Sequence, residues 1–463
     1  MPASTSKPLR VAVLADSDTR WKWGALTASR IVSDARLDGY LLRGRATPTP
    51  RQLSEVGIAA DSLREVTAVE FLREMSGKAP QDAAADGAPA DGAPSEGVPA
   101  GGGREARLPD VIILALVGGG VQALLHGLAR AWEGRTHRPV VVTGYVGVVY
   151  EKLADGLLLR HGADMVLANS RQDAERFRGV YTGVGADDTS VVETALPFLG
   201  GAPYTAPHTP YTVVFAAQPS VPETRAERTH LLNRLVQHAR MHPDREVLLK
   251  LRSKPGEHTT HIEELPYQRL AQRAGTLPGN FKTVYGHMGE VLDRTDLLVT
   301  VSSTAALESL HRRIPTAILT DVGVREKLGN HHFLGSGCLT SWDRLDAGEL
   351  PAPDPAWLGR QGVAADGGYE KAFDAARERI AALLAGDGLP PLRPYYTSVT
   401  APGYLPGILA RHHLDPGGSP LPGAPGADKA PGPVRQVVRR AARGAYRHGV
   451  QRVAPVIRRM GEL

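Results

Sequence analysis

Three hydroxyl residues in a row, Ser302, Ser303 and Thr304, stand between the uncharged run Leu297–Val301 (LLVTV) and a segment with alanine and leucine at helical spacing through Leu310. The run predicts a strand covered on both faces of a parallel sheet, and the hydroxyls mark its turn into a helix. A helix start at the carboxyl edge of such a sheet offers unpaired N–H groups and partial positive charge. With three hydroxyl donors added, the pattern points to a phosphate site. Glu308, one turn on, has the reach to accept hydrogen bonds from the two hydroxyls of a ribose. Serines that only cap the helix, with a solvated Glu308, give the same pattern.

A second group of reactive types follows the first apolar run, Leu9–Ala15. The loop from Asp16 to Gly24 (DSDTRWKWG) joins Asp16 and Asp18, either of which can act as a general base, to Trp21 and Trp23, whose faces stack on sugar rings. The plainer outcome is that Asp16 or Asp18 caps the next helix and the tryptophans are core. Two further loops follow strand-like runs. Pro139–Thr143 opens into Tyr145 and Glu151, which can face the same cleft as the aspartates, Glu151 as a reserve base. Glu246–Leu251 leads to Lys250, Arg252 and Lys254, alternating cations that suit a diphosphate leaving group of about two negative charges; a solvated basic loop is the alternative. The run VIILALVGGG ends in Gly118, Gly119 and Gly120, a turn that lets a ligand approach the backbone or lets helix and strand pack closely. No Gly-Lys-Ser/Thr follows, and the spacing is not that of a dinucleotide fingerprint.

Strands alternating with helical spacing are what must carry these loops, and that alternation predicts α/β domains with ligands at the carboxyl ends of the strands. At 463 residues the chain is too long for one ordinary core. Residues 1–204 read as a first domain and 205–390 as a second, with a Gly/Pro-containing hinge at 200–210. Inside the first, 54–75 contains helix-like spacing around Val66, Phe71 and Leu72. Residues 77–108 are almost all small or polar and predict a disordered insertion. An amphipathic helix is predicted over 369–384, a Pro/Gly-rich linker over 391–433 and a basic amphipathic tail over 434–463.

Composition narrows the function classes. One cysteine, Cys338, excludes an internal disulfide and fits a reducing compartment. No run approaches the ~20 apolar residues of a membrane span, and MPASTSKPLR lacks the apolar centre of a signal peptide, so a cytoplasmic protein is expected. The net charge is +5, but residues 434–463 hold eight arginines and one glutamate, +7, leaving −2 for the rest. That argues against a nucleic-acid face on the domains and suits contact of the tail with an anionic membrane surface; a disordered solubilising tail or a nucleic-acid scavenger has the same composition. His258, His261, His331 and His332 come without an HExxH or cysteine pairing, so no metal site is expected.

Tyr285, Gly286 and His287 follow the strand-like Phe281–Val284 and precede a short helix and the hydroxyl cluster. That succession resembles the donor domain of GT-B glycosyltransferases. SSTAALESLHRRIPTAIL is similar to the SST-x-x-x-E-x-L-x-x-x-x-P pattern of transferases that build bacterial surface polysaccharides. ADSDTRWKWG resembles the start of an uncharacterised bacterial family described as glycosyltransferases, over both domains, and ADMVLANS (Ala163–Ser170) resembles the last regular strand of a GT-B acceptor domain. The resemblance implies two Rossmann-like domains facing a cleft, with a nucleotide-sugar as substrate and neither metal nor other cofactor. It places the base against the backbone of Tyr285, Gly286 and His287, the diphosphate on Ser302, Ser303 and Thr304, the ribose on Glu308, and the transferred group near Asn330. The acceptor it implies is a cell-surface polysaccharide or lipid-linked glycan. The same donor layout serves nucleotide-sugar 2-epimerases and, with CDP-glycerol-type donors, polyol-phosphate transferases; a non-catalytic nucleotide-binding scaffold needs only the same pocket.

Overall fold

The computed structural model describes residues 8–44, 46–77, 107–148, 153–254, 265–363 and 368–425. Short charge-free runs satisfy their backbone groups by pairing with neighbours, and when both faces are apolar both must be covered. In the first lobe the strands are β1 (Arg10–Ala15), β2 (Arg36–Leu42), β3 (Ser62–Val66), β4 (Val111–Ala115), β5 (Val140–Gly144), β6 (Met165–Ala168) and β7 (Val191–Glu193). They lie in the order β3-β2-β1-β4-β5-β6-β7, all parallel. The second lobe holds β8 (Thr212–Ala216), β9 (Glu246–Lys250), β10 (Phe281–Val284), β11 (Leu297–Thr300), β12 (Thr316–Leu319) and β13 (Leu339–Thr340). Their order is β10-β9-β8-β11-β12-β13, again all parallel. This is the expected α/β architecture of two Rossmann-like sheets. In each the order reverses beside its first strand, between β1 and β4 and between β8 and β11, and the crevice beyond the carboxyl ends at such a point is where open α/β sheets bind ligands.

Side chains alternate across β1. Val11, Val13 and Ala15 pack with the helix Asp18–Ile31, while Ala12 and Leu14 pack with the helix Gly118–Ala131. Ala306, Leu310 and Phe333 of the second lobe join the first of these layers, so the two lobes share apolar core.

The helix-like spacing around Phe71 and Leu72 is a helix, Ala68–Met75, which Thr67 caps through a capping box with Glu70; before it the helix Pro50–Val56 ends at Gly57 (φ 69°), and Val66 closes β3 rather than joining a helix. One expectation is corrected here. The described part of the proposed linker, 391–425, is packed structure. After the helix Asp374–Ala385, which lies against β7 and the Asp18–Ile31 helix, the chain stays on the first lobe. Leu392, Leu405, Leu409 and Leu414 enter its core, and the helix Leu405–Ala410 covers Gly118–Ala131. Proline and glycine bend the chain tightly enough to lay these leucines on the sheet's helical layer, which composition alone reads as a spacer. Most of the predicted insertion, residue 426 onward and the basic tail lie outside the described residues.

Burial of His332 sets an acid limit on stability. Its ring packs against Phe333 and Trp357 (centroids 5.2 and 5.8 Å apart), and burial pushes its pKa down from 6.5 to about 4. The unfolded chain takes up this proton near pH 6.5 and the folded chain does not. Stability is therefore complete above that pH and falls, by up to about 3 kcal/mol from this group, as pH drops toward 4. Thermal melts across this range are expected to show His332→Phe losing less stability than the native chain.

Candidate active site

β1 ends where Ser17, not either aspartate, caps the helix Asp18–Ile31, its hydroxyl accepting from the Arg20 N–H at 3.4 Å. That leaves Asp18 in the first helical turn at the carboxyl edge of the sheet. β11 ends likewise at Thr300, and Thr304 stands at the N-cap of the helix Ala305–His311. Between these edges lies a cleft of about 1190 Å³. Its second-lobe wall includes Gln218, Lys250, Arg252, Gly286, His287, Ser303, Thr304 and Glu308; Asp18, Thr19, Lys22 and Glu55 line the first-lobe wall. The walls come close, for a Cβ on Gly147 would stand 3.0 Å from the Thr304 hydroxyl.

The cleft is electrically mixed. Lys250, only 6% exposed at the end of β9, donates to the Leu251 carbonyl at 2.9 Å. Burial pushes its pKa down to about 8, against a partial rescue by Glu55 and Glu308. Arg252 crosses to the first lobe, donating to Asp18 Oδ1 at 2.5 Å and to the Thr19 hydroxyl. Lys22 lies 3.7 Å from the largely buried carboxylate of Glu308 and 4.8 Å from the centre of the Phe198 ring. Burial also lowers the pKa of His287, and nearby Lys22 acts in the same direction. Gly286, at φ 98°, takes a conformation that side chains resist, and it bends the loop after β10 into the cleft.

Several sequence-predicted contacts belong elsewhere. Trp21 and Trp23 are 1% and 0% exposed, the first against Gly39 and the second against Gly144, so both indoles are core. Asp16 is not in the cleft wall: Arg20 holds one of its oxygens at 2.9 Å, and the other accepts the Val117 N–H at 3.1 Å. Gly119 and Gly120 face Ile408, Leu116 and His412, so the glycine turn serves close packing under the C-terminal segment. Ser302 is 1% exposed, its hydroxyl turned to the Leu328 carbonyl at 2.5 Å and the Gln218 side-chain oxygen at 3.2 Å, which leaves Ser303 and Thr304 as the more exposed hydroxyls of the three. Asn330 is fully buried and bonds Leu319 O, Gly323 O and Arg325 N, pinning the loop after β12. Tyr285 accepts from Gln268 and packs beneath the second sheet, with Lys254 5.8 Å from its ring centre; neither lines the cleft. Tyr145 lies in a separate first-lobe pocket of about 400 Å³ with Arg20, Asp155 and Arg160, its ring under the Arg160 guanidinium at 3.9 Å. Glu151 lies outside the described residues.

A family model described as "Putative glycosyltransferase (DUF6716)" matches residues 11–85 and 81–383, most of the chain. The chain belongs to this family. A search of curated proteins finds no significant match to this glycosyltransferase-family chain. Among solved structures it is similar to S. aureus MnaA with UDP, at 11% identity over 81% of this chain and 95% of that one, TM-score 0.47. It is also similar to the spinosyn rhamnosyltransferase SpnG, at 12% over 81% and 96%, TM-score 0.40. Anabaena HepE with UDP-glucose matches at 12% over 87% and 98%, TM-score 0.40. At such identities and scores the likeness decides nothing about donor or reaction.

For this member of the glycosyltransferase family, sequence reasoning missed Thr19, Lys22, Glu55 and the role of Gln218. Lys22 had a signal, since it stands four residues after Asp18 and so shares its helix face. Gln218 supports the hydroxyl cluster, its side-chain oxygen accepting from the Ser302 N–H at 3.0 Å and hydroxyl at 3.2 Å. Glu55 arrives from a separate helix with no local signal. Among the described residues one group could hold a metal, His238, His242 and Asp346, and it is not in the cleft wall. Arg234 on Asp346 (2.9 Å) and Arg245 on His238 (3.3 Å) already bring positive charge to it.

Proposed function

We propose that the protein transfers a glycosyl unit from a nucleotide-sugar, bound on the second lobe, to a hydroxyl of an acceptor presented by the first. The observation that carries this is the cleft between the carboxyl edges of the two sheets, with Lys250, Arg252, Ser303 and Thr304 on one wall and Asp18 on the other. The two cations and two hydroxyls hold the diphosphate and stabilise the charge that grows on it as the sugar bond breaks. Glu308 accepts from the ribose, the Gly286–His287 loop borders the base, and Asp18 is the general base. In this reading Lys250 and Arg252 do the work a divalent cation does elsewhere, so no metal takes part. The proposed acceptor is a cell-surface polysaccharide or lipid-linked glycan, met at the cytoplasmic face of the membrane. Among the described residues no helix is long and apolar enough to cross a membrane. The basic tail is proposed to touch the anionic surface.

Calorimetry and donor-hydrolysis assays against UDP-, GDP-, CMP- and dTDP-sugars test this. One donor class is expected to bind and hydrolyse slowly. Ser303→Ala is expected to weaken binding about fivefold, and Glu308→Ala at least about tenfold, the worth of a neutral and a charged hydrogen bond. Absence of binding throughout the set, or affinities indifferent to both substitutions, overturns the proposal. Sugar epimerisation without acceptor, or binding of CDP-glycerol alone, replaces it with one of the rival chemistries.

A further inference from the structure

We propose that Arg252 is a donor-responsive latch on Asp18, holding that carboxylate across the cleft until a diphosphate takes the guanidinium; this rests on the donor reading above. Arg252 follows β9 of the second lobe, and Asp18 opens the first helix of the first lobe, 234 residues earlier. One guanidinium nitrogen bonds both Asp18 Oδ1, at 2.5 Å, and the Thr19 hydroxyl. The side chains are 29% and 16% exposed, and both line the cleft. So held, Asp18 Oδ1 is engaged by the second lobe rather than by an acceptor hydroxyl.

The fork of a guanidinium fits a carboxylate and a phosphate equally well, and one nitrogen cannot serve both at full strength. A diphosphate beside Lys250 brings about two negative charges against the single charge of Asp18, and so wins the guanidinium. The carboxylate is then released toward the first lobe. It takes the acceptor hydroxyl's proton as that oxygen bonds to the anomeric carbon. The bond from this carbon to the phosphate oxygen breaks, and its electron pair leaves with the nucleoside diphosphate, whose charge rests on Arg252 and Lys250. Donor must therefore bind before acceptor, and the base stays masked in an empty cleft.

The test is calorimetry of the full chain with UDP, GDP, ADP, dTDP and inorganic pyrophosphate, using the native protein, Asp18→Asn, Arg252→Ala and the double variant. Removing an ion pair of this exposure frees the guanidinium, so Asp18→Asn is expected to bind the accepted diphosphate about three- to fivefold more tightly. Arg252→Ala binds it more weakly than the native chain, and in that background Asp18→Asn brings no gain. Asp18→Ser, which keeps a small polar residue in the first turn, reproduces the tightening, and thermal melts confirm that each variant is folded. Unchanged or weaker binding by Asp18→Asn, or an equal gain without Arg252, overturns the latch while leaving the donor site standing. If none of the probes binds the native chain, the diphosphate-donor reading fails and the latch with it.

Discussion

Lys250→Met is expected to lower donor turnover about a hundred- to a thousandfold while raising the melting temperature. The first effect follows, on the donor reading proposed above, from removing a preorganised cation beside the leaving diphosphate, where low exposure makes its charge count for most. The second follows from the same burial. A pKa of about 8 in place of 10.5 means that the folded chain holds this ammonium at a cost approaching about 3 kcal/mol at neutral pH, and methionine of similar length removes that cost. Loss of turnover together with a gain in stability distinguishes a functional lysine from a structural one. Nucleotide affinity of the native chain is expected to be flat below about pH 7.5 and to weaken as pH rises through 8, when the free cleft loses this charge. In Lys250→Met that pH dependence disappears. The stability sign runs the other way: between pH 8 and 10.5 the unfolded chain holds the proton and the folded one does not, so native stability gains from this group as pH rises. Turnover retained within about tenfold, or an unchanged pH profile, would remove Lys250 from the donor site.

A chain ending at residue 390 is expected not to fold, whereas one ending at residue 425 keeps every described contact of the first lobe. The shorter chain lacks Leu392, Leu405, Ile408, Leu409 and Leu414, none more than 6% exposed. At about 1.5–3 kcal/mol for each buried aliphatic side chain, their loss approaches the whole stability of an ordinary domain. It also uncovers the helix Gly118–Ala131 along the side where Gly119 and Gly120 meet Ile408 and His412. Loss of a cooperative melt and of soluble expression in the shorter chain alone is the outcome to look for. Leu409→Ala in the full chain is expected to cost about 2–5 kcal/mol. A shorter chain that melts cooperatively would return 391–425 to the role of a linker.

Much of this protein was legible in its residues. Charge-free β-branched runs such as Leu297–Val301 and Val111–Ala115 can be satisfied only inside covered parallel strands, so the two sheets and the loops at their carboxyl ends followed from local pattern. The loops that carry Asp18, Lys250, Arg252, Ser303 and Glu308 were found in this way. Local pattern says which residues are apolar and which face they share, but not what will cover that face. Trp21 and Trp23 were as open to stacking on a sugar as to packing under β2 and β5, and Asn330 to holding a sugar as to holding its own loop, until Gly39, Gly144 and the Gly323 carbonyl were set against them. Pairings such as Arg252 with Asp18, or Leu409 with the first sheet's helical layer, join residues more than two hundred positions apart. Their energy exists only once the separate elements that carry them are folded and packed together, so no spacing in the chain encodes them. The sequence by itself determined the two sheets and the residue types at their edges; the tertiary structure alone decided which of those groups meet, because long-range contact depends on the packing of whole elements.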